Sequence, residues 1–146
     1  MNAYNVLFLS PHNGSRSLMA EAILNQRGGE VVQAFSAGDR PAVTPDVYGV
    51  TLLKLLGTPA AGLHCKHWSE FAAPDAPPLD CVVVLGNEPV AQGIRWPGDP
   101  AVVHWSVEDP AAESGTLERA AAFRSVYDCL ERRIRTLVRT CGRARA

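Results

Sequence analysis

Val6-Leu7-Phe8-Leu9, followed by Ser10-Pro11-His12-Asn13-Gly14-Ser15-Arg16-Ser17, is the stretch on which the fold turns. Its first four residues form a short, unbroken apolar run, the pattern of a strand buried on both faces. A polar, glycine-containing loop follows and gives way at Arg16 to a helical pattern. Leu18, Met19, Ala22 and Ile23 share one face of that helix, which reaches about Gln26. Gly28-Gly29 ends it.

The rest of the chain repeats the alternation. Val31 to Ser36 reads as a second strand, closed by Ala37-Gly38. Thr44-Pro45-Asp46 predicts a helix start, with the Thr44 hydroxyl as cap and Pro45 at the first helical position. That helix runs to Leu56, with Val47, Val50, Leu53 and Leu56 as its apolar stripe. The proline-rich segment 72–78 is a loop. Cys81-Val82-Val83-Val84-Leu85 is a third buried strand, and Val102-Val103-His104 a short fourth. A last helix spans about Thr116 to Val138, its core stripe being Ala120, Phe123, Tyr127, Leu130, Ile134 and Leu137. The arginines at its end (Arg132, Arg133, Arg135, Arg139, Arg143 and Arg145) read as a solvated face that complements the helix dipole. Strands alternating with helices predict one α/β domain over residues 1–146: a four-stranded parallel sheet with helices on both faces, flavodoxin-like. Ligands of such sheets sit at the carboxyl ends of the strands. That edge carries the loops 10–16, 86–98 and 105–112.

Composition excludes several classes. The chain has 146 residues, 47% hydrophobic and 20% charged, enough for one domain with a real core. Lys plus Arg is 14 and Asp plus Glu is 15, so a generally basic, nucleic-acid-coating protein is excluded and no nucleic-acid partner is expected. No apolar run approaches the roughly 20 residues of a membrane span, so no membrane partner is expected either. Met1-Asn2-Ala3-Tyr4-Asn5 lacks the basic start of a secretory leader. Cys65, Cys81, Cys129 and Cys141 form no C-x-x-C pair, which predicts small buried hydrophobes in a reduced, cytoplasmic chain. His64, Cys65 and His67 cluster around Lys66 but lack a third or fourth ligand, so no metal is expected, and no cofactor. Lys66 reads by default as a solvated lysine. Trp68, Trp96 and Trp105 read as packing residues, Trp96 having the alternative of lining the cleft mouth. The oligomeric state stays open.

The loop 10–17 carries the chemistry. A strand, a short polar loop and a helix N-terminus turn successive amide N–H groups inward, which makes an anion nest. The helix adds its unpaired N–H groups and the positive end of its dipole. Arg16 adds a planar fork able to hold two oxygens of one tetrahedral anion. The segment is not a Walker loop, because it has no G-x-x-x-x-G-K-[ST].

These residues, with Met19-Ala20-Glu21-Ala22, Phe35-Ser36-Ala37-Gly38, Pro45 to Gly57, Trp68 to Phe71, Val82–Leu85, Pro97-Gly98-Asp99, His104-Trp105, Asp109-Pro110-Ala111 and Ala122-Phe123-Arg124, resemble the low-molecular-weight protein tyrosine phosphatases. The resemblance is strongest to their thioredoxin-coupled arsenate reductase branch and covers nearly the whole chain. It implies a loop of Cys, five residues and Arg, whose thiolate attacks phosphorus or arsenic. Here Ser10 stands at the nucleophile position. A hydroxyl stays protonated and needs an adjacent base, and the family does not use the position of His12 for that. Ser10 is therefore expected to donate a hydrogen bond to a bound oxyanion. The resemblance assigns Arg16 to the equatorial oxygens, Asn13 to loop shaping, Ser17 to stabilising the nucleophile and Asp109 to the general acid. The oxyanion-binding set is Ser10, Pro11, His12, Asn13, Gly14, Ser15, Arg16 and Ser17; the catalytic set is Ser10, Arg16 and Asp109. The reductase branch's two further cysteines align with Gly86 and Gly93, so its thiol relay is absent.

Three functions follow from the resemblance. The first is a protein that binds phosphate, arsenate or a phosphorylated ligand and catalyses little. The second is an active phosphomonoesterase whose catalytic Cys has been changed to Ser10. Departures at Pro11, Gly14, Gly86 and Gly93 favour a natural variant over such a change. The third is a module that recognises a phosphorylated partner, for which apolar surface around the cleft would be the sign.

Overall fold

The computed structural model describes residues 3–145, with side chains through residue 142. Met1, Asn2, Ala146 and the side chains of Arg143 and Arg145 lie outside the described residues, so the leader reading falls partly beyond them.

Strands β1 (Tyr4–Leu9), β2 (Val32–Ala37), β3 (Cys81–Leu85) and β4 (Ala101–Trp105) form one parallel sheet in the order β2-β1-β3-β4. The apolar run takes the middle of the sheet because it is buried on both faces. Val6 and Phe8 enter a core with Met19, Ile23, Phe123, Leu130 and Ile134. Leu7 and Leu9 point the other way, into a second core with Phe71, Leu79, Val82, Val84 and Trp96. Helices cover the two faces unequally. On the first face lie α1 (Arg16–Gly28), α2 (Val47–Leu55) and α4 (Thr116–Arg145). On the second, the single turn α3 (Ser69–Ala72) is joined by the loop 86–98. All βα loops from this parallel sheet emerge at one edge, which brings residues 10–15, 86–91 and 106–112 together.

Three expectations need correction. The cap of α2 is Asp46, whose Oδ1 accepts the Tyr48 N–H at 2.9 Å, so Thr44 and Pro45 precede the helix. A carboxylate there satisfies the first turn and also accepts from Arg119 at 2.8 Å, which no hydroxyl at 44 does. The apolar stripe of α2 is turned differently as well. Gly49 and Leu53 are its buried residues, while Val47 is 74% exposed. The stack of Tyr48 on Phe123 (5.7 Å, 21°) and the burial of Leu53 in the core go with that rotation. Finally, α4 continues past Val138 to Arg145, because Cys141 still packs into the core at 1% exposure.

Trp96 is not at the cleft mouth. It is buried in the second core, edge-on to Trp68 (6.1 Å, 80°). Trp105 packs on Phe8 (5.8 Å). All four cysteines are free thiols; Cys81 and Cys141 are buried, Cys65 and Cys129 half-buried. No helix among the described residues is long and apolar enough to cross a membrane.

Candidate functional site

The loop after β1 is pinned from behind. Pro11, His12 and Gly14 turn their carbonyls toward the segment 40–46 and accept from the amides of Arg40, Ala42 and Asp46, each at 2.9 Å. With the carbonyls drawn to one side, the amides face the other. Among the described backbone bonds, none is donated by an amide from His12 to Leu18. The last three of these amides are the orphan donors of the first turn of α1. The turn itself needs Asn13 at φ +49°, which asparagine tolerates better than most residues.

Gly38, from the Ser-Ala-Gly run, is what lets the loop sit so close to β2. A β-carbon there would lie 2.5 Å from the Ser10 carbonyl oxygen, 2.8 Å from that of Pro11 and 3.0 Å from the Asn13 nitrogen. All three are backbone atoms with no freedom to yield.

A directed chain of hydrogen bonds ends at Ser10. The Lys66 amide donates to Asn13 Oδ1 (3.0 Å), which fixes the amide group's orientation. Asn13 Nδ2 then donates to Ser17 Oγ (2.7 Å). Ser17 Oγ, with one lone pair occupied in this way, shares a hydrogen bond with Ser10 Oγ, 2.6 Å away, in which either hydroxyl can be the donor. When Ser17 is the donor, the Ser10 proton is free for the pocket. No carboxylate or imidazole among the described residues bonds to Ser10 Oγ, so no base is in place to deprotonate it. His12 is exposed at the rim.

The pocket holds about 230 Å³ and is lined by Ser10, His12, Gly14, Ser15 and Arg16 from the loop, with Thr44, Asp46, Asp109 and Ala111 opposite. Pro11, Asn13 and Ser17 belong to its supporting wall: all three are buried, and none lines the pocket. The Arg16 guanidinium is buried, donates to the Val107 carbonyl at 3.0 Å, and stands 4.0 Å from Asp109 and 3.9 Å from Glu88. Asp109 lines the pocket opposite the loop. Its Oδ1 accepts from the Ala111 amide (3.0 Å), which orients the carboxyl at the pocket wall.

Sequence reasoning missed three contributors. Glu88 had no motif to announce it. Arg119, on α4, reaches across to Asp46 and to the Ala111 carbonyl (3.1 Å), bracing the far wall. Lys66 is not solvated: its Nζ is buried, donating to the His64 carbonyl (2.9 Å) and Ser36 (3.3 Å) and pairing with Glu21 (3.4 Å). Glu21 and Ser36 are bonded to each other as well (2.7 Å). The Phe35-Ser36-Ala37-Gly38 and Glu21 matches were visible in the sequence; the lysine that joins them was not. No group of histidine, cysteine and acidic side chains among the described residues could hold a metal ion.

Gly86 and Gly93 both have positive φ. At Gly86 (φ +92°) a β-carbon would collide with Arg16 Nη1. Burial pushes the thiols that are present upward: Cys65 modestly, against the pull of Lys66, and Cys81 to about 11, with Asp80 adding to the effect. Neither has the depressed pKa of a reactive thiolate.

Fold and loop together define a class: a parallel α/β domain with a cradle of amides and one arginine at the end of its first strand. Residues 5–146 match the family of low molecular weight phosphotyrosine protein phosphatases, and the chain belongs to it. Among solved structures, an arsenate reductase from Archaeoglobus fulgidus is 29% identical with a TM-score of 0.72, over 91% of this chain and 98% of that one. A thioredoxin-dependent arsenate reductase from Corynebacterium glutamicum is 22% identical with a TM-score of 0.73, over 97% of this chain; the match spans 63% of that chain's length. The tyrosine phosphatase AmsI from Erwinia amylovora is 20% identical with a TM-score of 0.72, over 94% of this chain and 93% of that one. The last two show the shared fold. No curated protein matches the chain.

Proposed function

We propose that this chain binds phosphate-like oxyanions, free or carried on a larger ligand, in the cradle 10–17, and that Ser10 makes it a binder rather than a catalyst. The observation that carries the reading is the polarity of the loop. Its carbonyls are tied to the segment 40–46, its amides from His12 to Leu18 are not engaged by backbone, and Arg16 faces the same pocket. Such an arrangement meets a tetrahedral anion with donors on several sides. Ser10 adds one neutral donor at its base. A thiol at that position would ionise in the same field. A hydroxyl, with no base beside it, does not.

Were the nucleophile a thiolate, the same residues would serve in-line attack at phosphorus. Arg16 and the amides would hold the equatorial charge, and Asp109 would protonate the leaving group. The reading keeps this chemistry latent rather than lost.

Thermal unfolding with and without inorganic phosphate tests the proposal. At ten times the dissociation constant, linkage adds about 1.4 kcal/mol, a rise in Tm of roughly 4–5 °C for a domain this size. Arg16→Ala should remove the rise. No rise at tens of millimolar phosphate, for a folded chain, would count against the cradle.

A further inference from the structure

The two edges of the sheet are finished differently. At β2 one side chain caps the outward backbone groups of Ala34: Asn25 accepts from the Ala34 amide at 2.8 Å and donates to its carbonyl at 3.2 Å. At β4 the Ala101 amide donates to the Asp80 carbonyl (3.2 Å), and the Trp105 carbonyl accepts from the Gly86 amide (2.9 Å). The odd-numbered residues therefore turn their backbone toward β3, and alternation turns the amides and carbonyls of Val102 and His104 outward. Among the described hydrogen bonds none caps these outward groups, and no further strand lies beyond β4. Edge strands are ordinarily blunted by lysine, proline or a bulge. Ala101–Trp105 contains none of these, and its Val102 and Val103 are 53% and 39% exposed.

Beside this edge lies a groove of about 690 Å³, with Val103 and Trp105 on the sheet side and Arg132, Arg133 and Thr136 on the α4 side. No acidic residue lines it. Arg119, Arg124 and Arg135 of α4 each pair with a carboxylate, whereas Arg132 and Arg133 have no ion pair among the described residues. Since α4 runs on to Arg145, both stand well short of its last turn, and the helix dipole does not account for them. Arg133 is positioned by the sheet itself: its guanidinium lies 5.6 Å over the Trp105 ring.

We infer that β4 is a docking edge for an extended acidic segment of a partner protein, which adds as a fifth strand and turns alternate Asp or Glu side chains toward Arg132 and Arg133. The outward amides and carbonyls call for a polypeptide, because a free anion or a nucleic acid has no alternating donors and acceptors to pair with them. The two unpaired arginines call for acid at every second position, which a strand presents on one face. A second copy of this chain is a poorer match. Two β4 edges paired antiparallel put the arginines of both copies on one face of the joined sheet, where like charges repel. None of these residues lines the cradle, so the inference stands whether or not the cradle binds phosphate.

The test uses the whole chain and a fluorescein-labelled octapeptide of alternating glutamate and threonine, read by fluorescence anisotropy. Two companion peptides separate the parts. In one, lysine replaces glutamate; in the other, the amides along one edge are N-methylated, which keeps the charge and removes strand pairing. Each companion should bind at least about tenfold more weakly than the parent peptide. Arg132→Glu with Arg133→Glu, both on exposed positions, should weaken the parent by at least about tenfold. So should Val102→Pro, which removes an outward amide and leaves the bonds to β3 in place. The parent should also slow hydrogen exchange at the Val102 and His104 amides. No binding of the parent at about 1 mM overturns the inference. Equal binding of the N-methylated peptide overturns it as well, since it leaves an ionic patch without strand addition. A parent peptide that binds both variants as tightly as the native chain overturns it by placing the contact elsewhere. A single-stranded oligonucleotide that displaces the parent and binds more tightly assigns the arginines to nucleic acid instead. A dimer seen by sedimentation, dissociated by Val102→Pro and indifferent to the peptide, assigns the edge to a second copy instead.

Discussion

Gly86 and Arg16 occupy one space: the guanidinium lies where a β-carbon at 86 would have to be. The glycine, at φ +92°, is what allows Arg16 to lie buried behind the pocket and bond the Val107 carbonyl. Gly86→Ala should therefore act twice. Strain at positive φ and the displaced arginine should cost about 1–3 kcal/mol in denaturant unfolding. Phosphate affinity should fall by at least tenfold. An alanine variant with unchanged phosphate binding would show that Arg16 does not need this position.

Gly38→Ala should be the more damaging substitution for the fold. Its β-carbon meets the backbone of Ser10, Pro11 and Asn13 at 2.5–3.0 Å, so the loop must leave β2. Expected are a Tm lower by several degrees and loss of phosphate protection. Retained protection would mean that the cradle does not depend on this contact.

Lys66→Met separates stability from binding. It leaves Glu21 half-buried beside Ser36 without its cation, an uncompensated charge costing on the order of 1–3 kcal/mol. The bond to Asn13 comes from the Lys66 backbone, however, and survives the substitution. Unfolding should show the loss while the phosphate constant of the folded variant moves by less than about threefold. A large loss of affinity at unchanged stability would contradict this division.

Stability should decline in alkali through Cys81. Burial raises its thiol from an ordinary value near 9 to about 11, so the folded chain keeps a proton that the unfolded chain has released. The contribution is full below pH 9 and is lost as pH rises toward 11. Cys81→Ala should flatten the unfolding free energy over that interval, measured by urea titration at several pH values. An equally steep decline in the variant would assign it to other groups.

How much of this the sequence showed depends on the range of the interactions. β1 was legible because Val6 to Leu9 are all apolar and buried on both faces, and the loop because its residue types suit one task. Asp109 was singled out through the resemblance, from the Trp105 context and the order of motifs, since an Asp-Pro pair alone is more often a turn. The rotation of α2 was not legible, since the stack of Tyr48 on Phe123 is a contact between distant segments. Val47 looked like a core residue and proved to be surface. Lys66, Arg119 and Glu88 carry no local pattern; each matters because of residues far away in the chain.

The central claim is that the cradle is intact and only the nucleophile differs. Hydrolysis of p-nitrophenyl phosphate by the native chain and by Ser10→Cys, side by side, tests it most directly. The Ser17 hydroxyl, the loop amides and Arg16 would all favour a thiolate at position 10. The account predicts turnover by the Cys form at roughly 10³-fold or more above the native chain, with Asp109→Asn slowing it. Two folded, phosphate-binding proteins that are both inert, or a native chain as active as its Cys form, would contradict it.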